Sequence, residues 1–290
     1  MGGVHVICDL CGSDDAVPVI RKPDGRYVQC RHCGFIYTDS RAAAEEVNDE
    51  YFAGERDQYV RSAYSSRSQR RYARVLRALS RYRRGSRLLE IGCNVGGFLY
   101  RARETGWNSA GIDPVAACAN YAKEMYGLET YACFLEDAPL AEKAFDVVYS
   151  DAVFEHLASP GATLMHVARL LRPGGVVYTR TVNFESYTRQ VLAAEWQLLN
   201  PQLHLSLFNP ATLSRFCRQA GLEVVAVRSS GVRTPDNPRF ALWEKAKKAY
   251  RSTAARRNLR GDRIVVIARK PPVEARHACG QDRATAVMDA

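Results

Sequence analysis

The sequence predicts an α/β fold, a mostly parallel sheet covered by helices on both faces, with a small cysteine-rich module in front of it. Three observations carry that expectation. From residue 87 onward, short apolar runs alternate with helical patterns, as strands buried on both sides and joined by helical crossovers do. A glycine-rich turn over 92–97 stands between the first of those runs and the helix after it. Four of the nine cysteines fall into two Cys-x-x-Cys pairs ahead of residue 40.

The elements follow in order. Residues 1–40 are dense in Cys, Gly and Asp and read as short strands and turns. Over 42–84 the pattern is helical and very basic, with Tyr72, Val75, Leu76 and Leu79 at helical spacing and Gly85 as the stop. Arg87-Leu88-Leu89-Glu90-Ile91 is a short buried strand, and 95–105 reads as a helix. A second strand over 109–112 ends at Asp113-Pro114 and leads into a helix through Tyr126. A weaker strand at 130–133 precedes a strongly apolar one at 145–149. A helix over 161–171 stops at Arg172-Pro173-Gly174-Gly175, and strand resumes at 176–181. The last elements are a helix over 210–220, stopped by Gly221, and strands over 222–228 and 263–268. From Pro271 the chain is polar and aperiodic, as a disordered tail is. The expected division is a cysteine module (1–40), a basic helical connector (41–85), an α/β domain (86–270) and a tail (271–290).

The 290 residues, 47% hydrophobic and 25% charged, suit one sizeable domain with an appendage. No apolar run reaches the roughly 18 residues that cross a bilayer. The first ten residues lack the basic and apolar regions of a secretory signal. Val6 stands where a myristoylation motif wants Ser or Thr. Five cysteines are scattered singly, as reduced thiols are, so the expected location is the cytoplasm. The formal charge of +10 is concentrated over 56–87 and 245–263. Such a balance serves nucleic acid, a membrane surface or a phosphorylated small substrate, or is simply a solvated helix face.

Cys8-x-x-Cys11 and Cys30-x-x-Cys33, eighteen residues apart, have the spacing of a four-cysteine zinc ribbon, a pattern that four unrelated thiols rarely give. Gly12 and Gly34 directly after each pair supply the turns. His32, inside the second pair, is not expected to be a ligand. A full thiolate set describes a closed, structural zinc site with no catalytic water.

The turn Glu90-Ile91-Gly92-Cys93-Asn94-Val95-Gly96-Gly97 lies where an open α/β sheet binds its cofactor, and Asp113 ends the second strand, where a carboxylate can accept ribose hydroxyls. Two cofactors compete for it. Read as Gly92-x-Asn94-x-x-Gly97, the turn is a damaged dinucleotide fingerprint. Asn94, however, obstructs the backbone's approach to a pyrophosphate, and Glu90 places a negative charge beside it. That charge suits S-adenosylmethionine, with its ammonium and sulfonium and no phosphate.

The run Leu88 through Gly96 resembles the first motif, E/D-x-G-x-G-x-G, of class I S-adenosylmethionine-dependent methyltransferases. Gly111-Ile112-Asp113-Pro114 looks like their second-strand acid. Phe145-Asp146-Val147-Val148-Tyr149-Ser150-Asp151 and then Phe154-Glu155-His156-Leu157 are similar to the fourth-strand motif of the small-molecule branch. Leu171-Arg172-Pro173-Gly174-Gly175 matches the turn before the fifth strand. His204-Leu205, Phe208, Leu213 and Ala220-Gly221-Leu222 resemble a late substrate-side helix. The motifs span about two-thirds of the chain. Asn94 departs from the usual middle Gly, at a position where Asn tolerates left-handed backbone. The resemblance implies a Rossmann-like seven-stranded sheet whose last strand is antiparallel. It also implies cofactor contacts from Glu90, Gly92, Asn94, Gly96, Asp113, Glu136, Asp137 and Ser150. With zinc knuckles ahead of it, the domain resembles a bacterial subgroup often associated with sugar, polysaccharide or secondary-metabolite methylation.

Methyl transfer is an in-line displacement, so positioning supplies much of the rate, and a base is needed only where the acceptor must lose a proton. His156, just after the fourth strand, is the first candidate for that base. Glu155 is placed to orient its ring or bind the acceptor, and His204 is the second candidate. The rival reading makes all three pocket-shaping residues. Tyr149, Asn183, Tyr187 and Trp196 belong to an acceptor cavity or to the core. Ser150-Asp151-Ala152-Val153 replaces the Asn/Asp-Pro-Pro-aromatic run of many base-directed N-methyltransferases, which lowers the weight of DNA amine methylation. The favoured expectation is O- or C-methylation of a small molecule such as a sugar nucleotide or secondary metabolite, a phosphorylated acceptor among the options, without a membrane partner. An RNA methyltransferase gripping phosphates through the ribbon and basic surface, and a zinc-ribbon adaptor that binds cofactor without turnover, are the alternatives.

Overall fold

The computed structural model describes residues 6–39, 56–231 and 258–272. The expected tail from 273 on, the first part of the basic connector and most of the second basic stretch lie outside those residues.

Three antiparallel strands, β1 (Ala16–Lys22), β2 (Gly25–Cys30) and β3 (Ile36–Thr38), carry the cysteine module. The basic segment contributes helices α1 (Arg56–Ala63) and α2 (Ser66–Leu79). α2 starts where the Ser65 hydroxyl accepts the Ser68 N–H, which satisfies one of the free amides of its first turn. Its apolar stripe brings Leu76 and Leu79 into one core with Leu88, Phe98, Val147 and Tyr149. The sequence gives that helix charge on three sides, and it is docked by the fourth.

The large sheet comprises β4 (Arg87–Ile91), β5 (Asn108–Ile112), β6 (Glu129–Tyr131), β7 (Phe145–Asp151), β8 (Leu171–Val182), β10 (Glu223–Ser230) and β11 (Arg263–Arg269). Its order is β10-β11-β8-β7-β4-β5-β6. β6, β5, β4, β7 and β8 run parallel, and β11 enters antiparallel between β8 and β10. The seven-stranded α/β expectation, with its antiparallel last strand, therefore holds. Crossovers are α3 (Gly97–Glu104), α4 (Ala116–Tyr126) and α5 (Pro160–Leu170), and α6 (Tyr187–Leu192) and α7 (Pro210–Gln219) follow β8. α7 opens on a reciprocal cap between Asn209 and Thr212, with Pro210 in its first turn.

Two differences from the sequence expectation have physical causes. β8 begins at Leu171, because Phe145 pairs with Leu171 before the register shifts to Val147 and Val176; Arg172-Pro173-Gly174-Gly175 is thus a bulge inside the strand, with Gly174 at φ 81°. The second difference is the two-residue strand β9 (Ser206–Leu207), which pairs antiparallel with β3 and completes a four-stranded sheet β1-β2-β3-β9. The cysteine module consequently shares structure with the late part of the chain. Phe35 packs edge-on to Phe216 at 5.0 Å and against Phe208 at 5.5 Å, in one core with Leu164, Val148 and Ile264. Asp9 accepts the Ser159 hydroxyl and the Gly161 N–H at the start of α5, both at 2.7 Å.

Candidate active site

The carboxyl ends of β4 and β7 and the turn after β4 line an open cleft of about 610 Å³, counting its mouth. Gly92, Asn94 and Glu90 line it from the first turn, Tyr149 and Asp151 from β7, and Tyr59, Arg71 and Tyr72 from α1 and α2. The turn is left-handed at Gly92 (φ 72°), and a Cβ there would come within 2.4 Å of Val153 Cγ2, so only glycine fits. Asn94 is also left-handed, at φ 46°, as the sequence reading allowed. Its N–H donates to Asp113 Oδ2 at 2.7 Å, and its own Oδ1 accepts the Val95 N–H at 2.7 Å. Asp113 Oδ1 accepts the Val115 N–H at 2.9 Å, so this carboxylate braces the two turns of the cleft at once. The Tyr64 hydroxyl donates to the Val95 carbonyl, and Gln69 Nε2 to that of Gly97, which fastens the basic helices over the turn.

Glu90 is the least satisfied group in the cleft. Its side chain is buried, and Oε2 has no hydrogen-bond partner among the described residues. Burial, reinforced by the nearby Asp151 and Asp113 charges, raises its carboxyl well above the ordinary range, with Arg71 opposing. An orphaned carboxylate oxygen at a ligand-sized opening fits a cationic ligand, which would supply the missing partner. Asp151 has the opposite balance. Burial acts to raise it, but Arg180 and Arg71 outweigh that and hold it below the usual carboxylate range. Each of those arginines donates to Asp151 through Nη1 at 2.6 Å, and the Tyr149 hydroxyl donates at 3.2 Å.

Beyond β7, Ala152 adopts φ 59°, and a single 3-10 turn over Phe154–His156 presents the candidate base. His156 Nδ1 lies 2.7 Å from the Leu203 carbonyl, and His204 Nδ1 lies 2.6 Å from that of Leu198. A carbonyl only accepts, so each neutral ring carries its proton on Nδ1 and keeps a lone pair on Nε2. The rings face each other with centroids 4.9 Å apart. Burial and the neighbouring His156 push the His204 pKa below its ordinary value. Glu155 does not set the His156 tautomer; the Leu203 carbonyl does. Glu155 is instead paired with Arg263 at 3.0 Å and accepts the Thr181 hydroxyl at 2.6 Å.

The other expected residues are spread out. Gly96 caps α3 in a left-handed conformation. Ser150 is fully buried, with its hydroxyl unpartnered among the described residues, and Glu136 and Asp137 are exposed in a 3-10 turn. Asn183 and Trp196 belong to the core. Arg71 and Asp151 escaped the sequence reading. The available signal was Arg71's place beside Tyr72 on the apolar stripe of α2, which turns it toward the sheet. In the cysteine module, Cys8 Sγ lies 3.4 Å from Cys33 Sγ and Cys11 Sγ 3.5 Å from Cys30 Sγ, with all four sulfurs within 4.8 Å of one another. Thiolates around one tetrahedral zinc at about 2.3 Å would sit about 3.8 Å apart, so the set fits that ion.

Comparison with known proteins agrees with this geometry. Residues 64–227 match the family model described as a methyltransferase domain. The chain is 34% identical over 152 residues to a ubiquinone biosynthesis O-methyltransferase of Aromatoleum aromaticum, covering 48% of this chain and 64% of that one. It is 32% identical over 171 residues to the Burkholderia pseudomallei protein of the same name, covering 54% and 73%. Among solved structures, an S-adenosylmethionine-dependent methyltransferase from Archaeoglobus fulgidus superposes with TM-score 0.52 at 20% identity, over 76% of this chain and 99% of that one. The [4+2]-cyclase SpnF superposes with TM-score 0.57 at 18% identity, over 80% and 98%. Those two likenesses speak for the fold; the matched domain and the two sequence relatives speak for the chemistry. With the glycine turn, its acid partner and the ordered strand ends, they show that the chain belongs to the methyltransferase-domain family, as a class I S-adenosylmethionine-dependent methyltransferase.

Proposed function

We propose that the chain methylates an oxygen or carbon of a small acceptor, with S-adenosylmethionine in the cleft at the ends of β4 and β7 and His156 as the base. The observation that carries the reading is the His156–His204 pair after β7, with both Nδ1 atoms committed to carbonyls. The relatives' name, with its O-methylation, supports the oxygen alternative. Glu90 would meet the cofactor's cationic end, the Gly92–Asn94 turn would lie against its backbone, and Asp113 would take its ribose. When bound, the cofactor supplies an electrophilic methyl carbon. The protein's part is to hold the acceptor in line with it and to receive the acceptor's proton on His156 Nε2.

The four cysteines would hold a structural zinc. Binding zinc through four thiolates requires reduced cysteines, which supports the expected cytoplasmic location. Among the described residues no helix is long and apolar enough to cross a membrane.

The direct test is to incubate the protein and methyl-labelled S-adenosylmethionine with cell extract and follow the label. Label in small molecules is expected, and label in high-molecular-weight RNA would overturn the reading. For the cofactor site, Gly92→Ala forces an L-residue into left-handed backbone and against Val153, a strain of about 1–2 kcal/mol. S-adenosylmethionine affinity measured by calorimetry should fall about tenfold. An unchanged value would remove this turn from the cofactor site.

A further inference from the structure

Strand register places charged residues of the sheet in one line. Asp151 on β7 is opposite Arg180 on β8, Arg180 is opposite Val265 on β11, and Val265 is opposite Arg228 on β10. Residues paired across strands project from the same face, with strands about 4.8 Å apart. The line therefore starts at the cleft and runs away from the glycine turn toward the β10 edge, on the face that α2 covers with Arg71. Beneath it lies a row of Tyr149, Tyr178 and Ile267 in the same pairing, an apolar floor in which Tyr149 and Tyr178 stack at 5.2 Å.

Two guanidinium groups meet one carboxylate here, and a third lies further along the same line. Arg71 and Arg180 each reach Asp151 through Nη1, and the Arg71 guanidinium also lies over the Tyr72 ring, 4.9 Å from its centroid. Their side chains remain 40% and 24% exposed. Arg228 is exposed and has no ion pair among the described residues. The phenol of Tyr178, between them on the same face, is pushed up to about 12 by burial and the Asp151 charge, with Arg180, Arg71 and Arg228 opposing. A structural clamp for Asp151 needs one positive partner. Here two are supplied, with a third in line, and both side chains keep part of their surface in solvent, where a forked donor can meet a second anion.

We propose that Arg71, Arg180 and Arg228 form an acceptor subsite for a phosphoryl group, set beside the methyl-transfer position. This rests on the methyltransferase reading above and deepens it. Two strand spacings, about 10 Å, separate β4 from β8. The phosphoryl group of the acceptor would thus be several bonds from the methylated atom. Asp151 keeps the Arg71 and Arg180 forks splayed before the acceptor arrives, so less order has to be imposed on binding.

The test is calorimetric titration of the full chain with inorganic pyrophosphate at low ionic strength, with acetate as a second probe. S-adenosylmethionine is titrated into the same preparations. Pyrophosphate should bind wild type, bind Arg180→Gln and Arg228→Gln at least fivefold more weakly, and bind Arg77→Gln, an equal charge change elsewhere on α2, within twofold of wild type. Arg228 is an exposed edge-strand residue, so its variant keeps the test valid if Arg180→Gln fails to fold. Wild-type affinity in Arg228→Gln and in any folded Arg180→Gln overturns the subsite. So does an equal loss in Arg77→Gln, which would indicate a diffuse basic surface, or acetate binding as tightly as pyrophosphate. A wild-type protein that binds S-adenosylmethionine but no pyrophosphate overturns this subsite alone. One that binds no S-adenosylmethionine overturns the functional reading itself.

Discussion

Replacing His156 with alanine is expected to lower methyl transfer by about 10²–10⁴-fold, the range for losing a positioned general base, while S-adenosylmethionine affinity stays within twofold. The separation follows from the geometry. His156 is on the turn after β7, whereas the groups that brace the cofactor turn are Asn94 and Asp113, on other strand ends. His156→Gln is the sharper version, because an amide can keep a hydrogen bond to the Leu203 carbonyl without offering a basic nitrogen. Equal turnover in both variants and wild type would remove the base assignment. His204→Ala should cost less, since that ring touches His156 and is not itself the proposed base. Its depressed pKa has a sign that can be checked. The unfolded chain protonates this histidine near 6.5 and the folded loop resists it. Its contribution to stability is therefore complete above 6.5 and is lost as pH falls through that value toward the lower folded pKa. A thermal melt across pH 7.5 to 5.0 should show a steeper acid loss for wild type than for His204→Ala.

Stripping the cysteine module should have the largest effect on structure. Structural zinc in isolated fingers carries about 10–16 kcal/mol of apparent binding energy at neutral pH, more than the margin that keeps most domains folded. Cys30→Ser, or a strong chelator acting on the whole protein, is expected to unfold the module and release what it holds. That includes β9, whose Ser206 and Leu207 pair with Tyr37 and Ile36, and His204, whose carbonyl accepts the Tyr27 hydroxyl at 2.9 Å. Lys22 Nζ also donates to the Ala194 carbonyl at 3.0 Å, so much of the 194–207 loop leans on this module. Hydrogen exchange should accelerate there and at the start of α5, where Asp9 is lost, while the 90–97 turn keeps its protection and its cofactor. Metal analysis should give one zinc per chain. Loss of cofactor binding together with loop protection would mean that the module supports the whole domain.

What the sequence disclosed and what it withheld follow from the range of the forces involved. β4, β5, β7 and the turn at Gly92 are written in consecutive residues, as an apolar run and then glycines. The left-handed Asn94 could be anticipated because its tolerance is a property of the residue itself. The paired cysteines announced their site through spacing alone. Arg71 against Asp151 gave only the faint notice of its place beside Tyr72, because an arginine on a basic helix looks much the same whether it faces water or a buried carboxylate. β9 is two residues long, too short for a period, and exists only because β3 offers it an edge. Glu155 looked like the partner of His156 because it is adjacent in sequence, yet the fold turns it to Arg263, from the other end of the domain.

The β3–β9 pairing also bears on how the molecule is made. Chains fold as they emerge, with early segments first. β1, β2 and β3 can close around their metal long before Ser206 has been synthesised. During that interval β3 has an open edge, the kind of surface that pairs with other chains, and Phe35 lacks Phe208 and Phe216. The module thus has its four cysteines in place with an unfinished hydrophobic face, and its last strand arrives with the loop that carries His204. Until Ser206 and Leu207 arrive, the edge of β3 and the face of Phe35 stay uncovered.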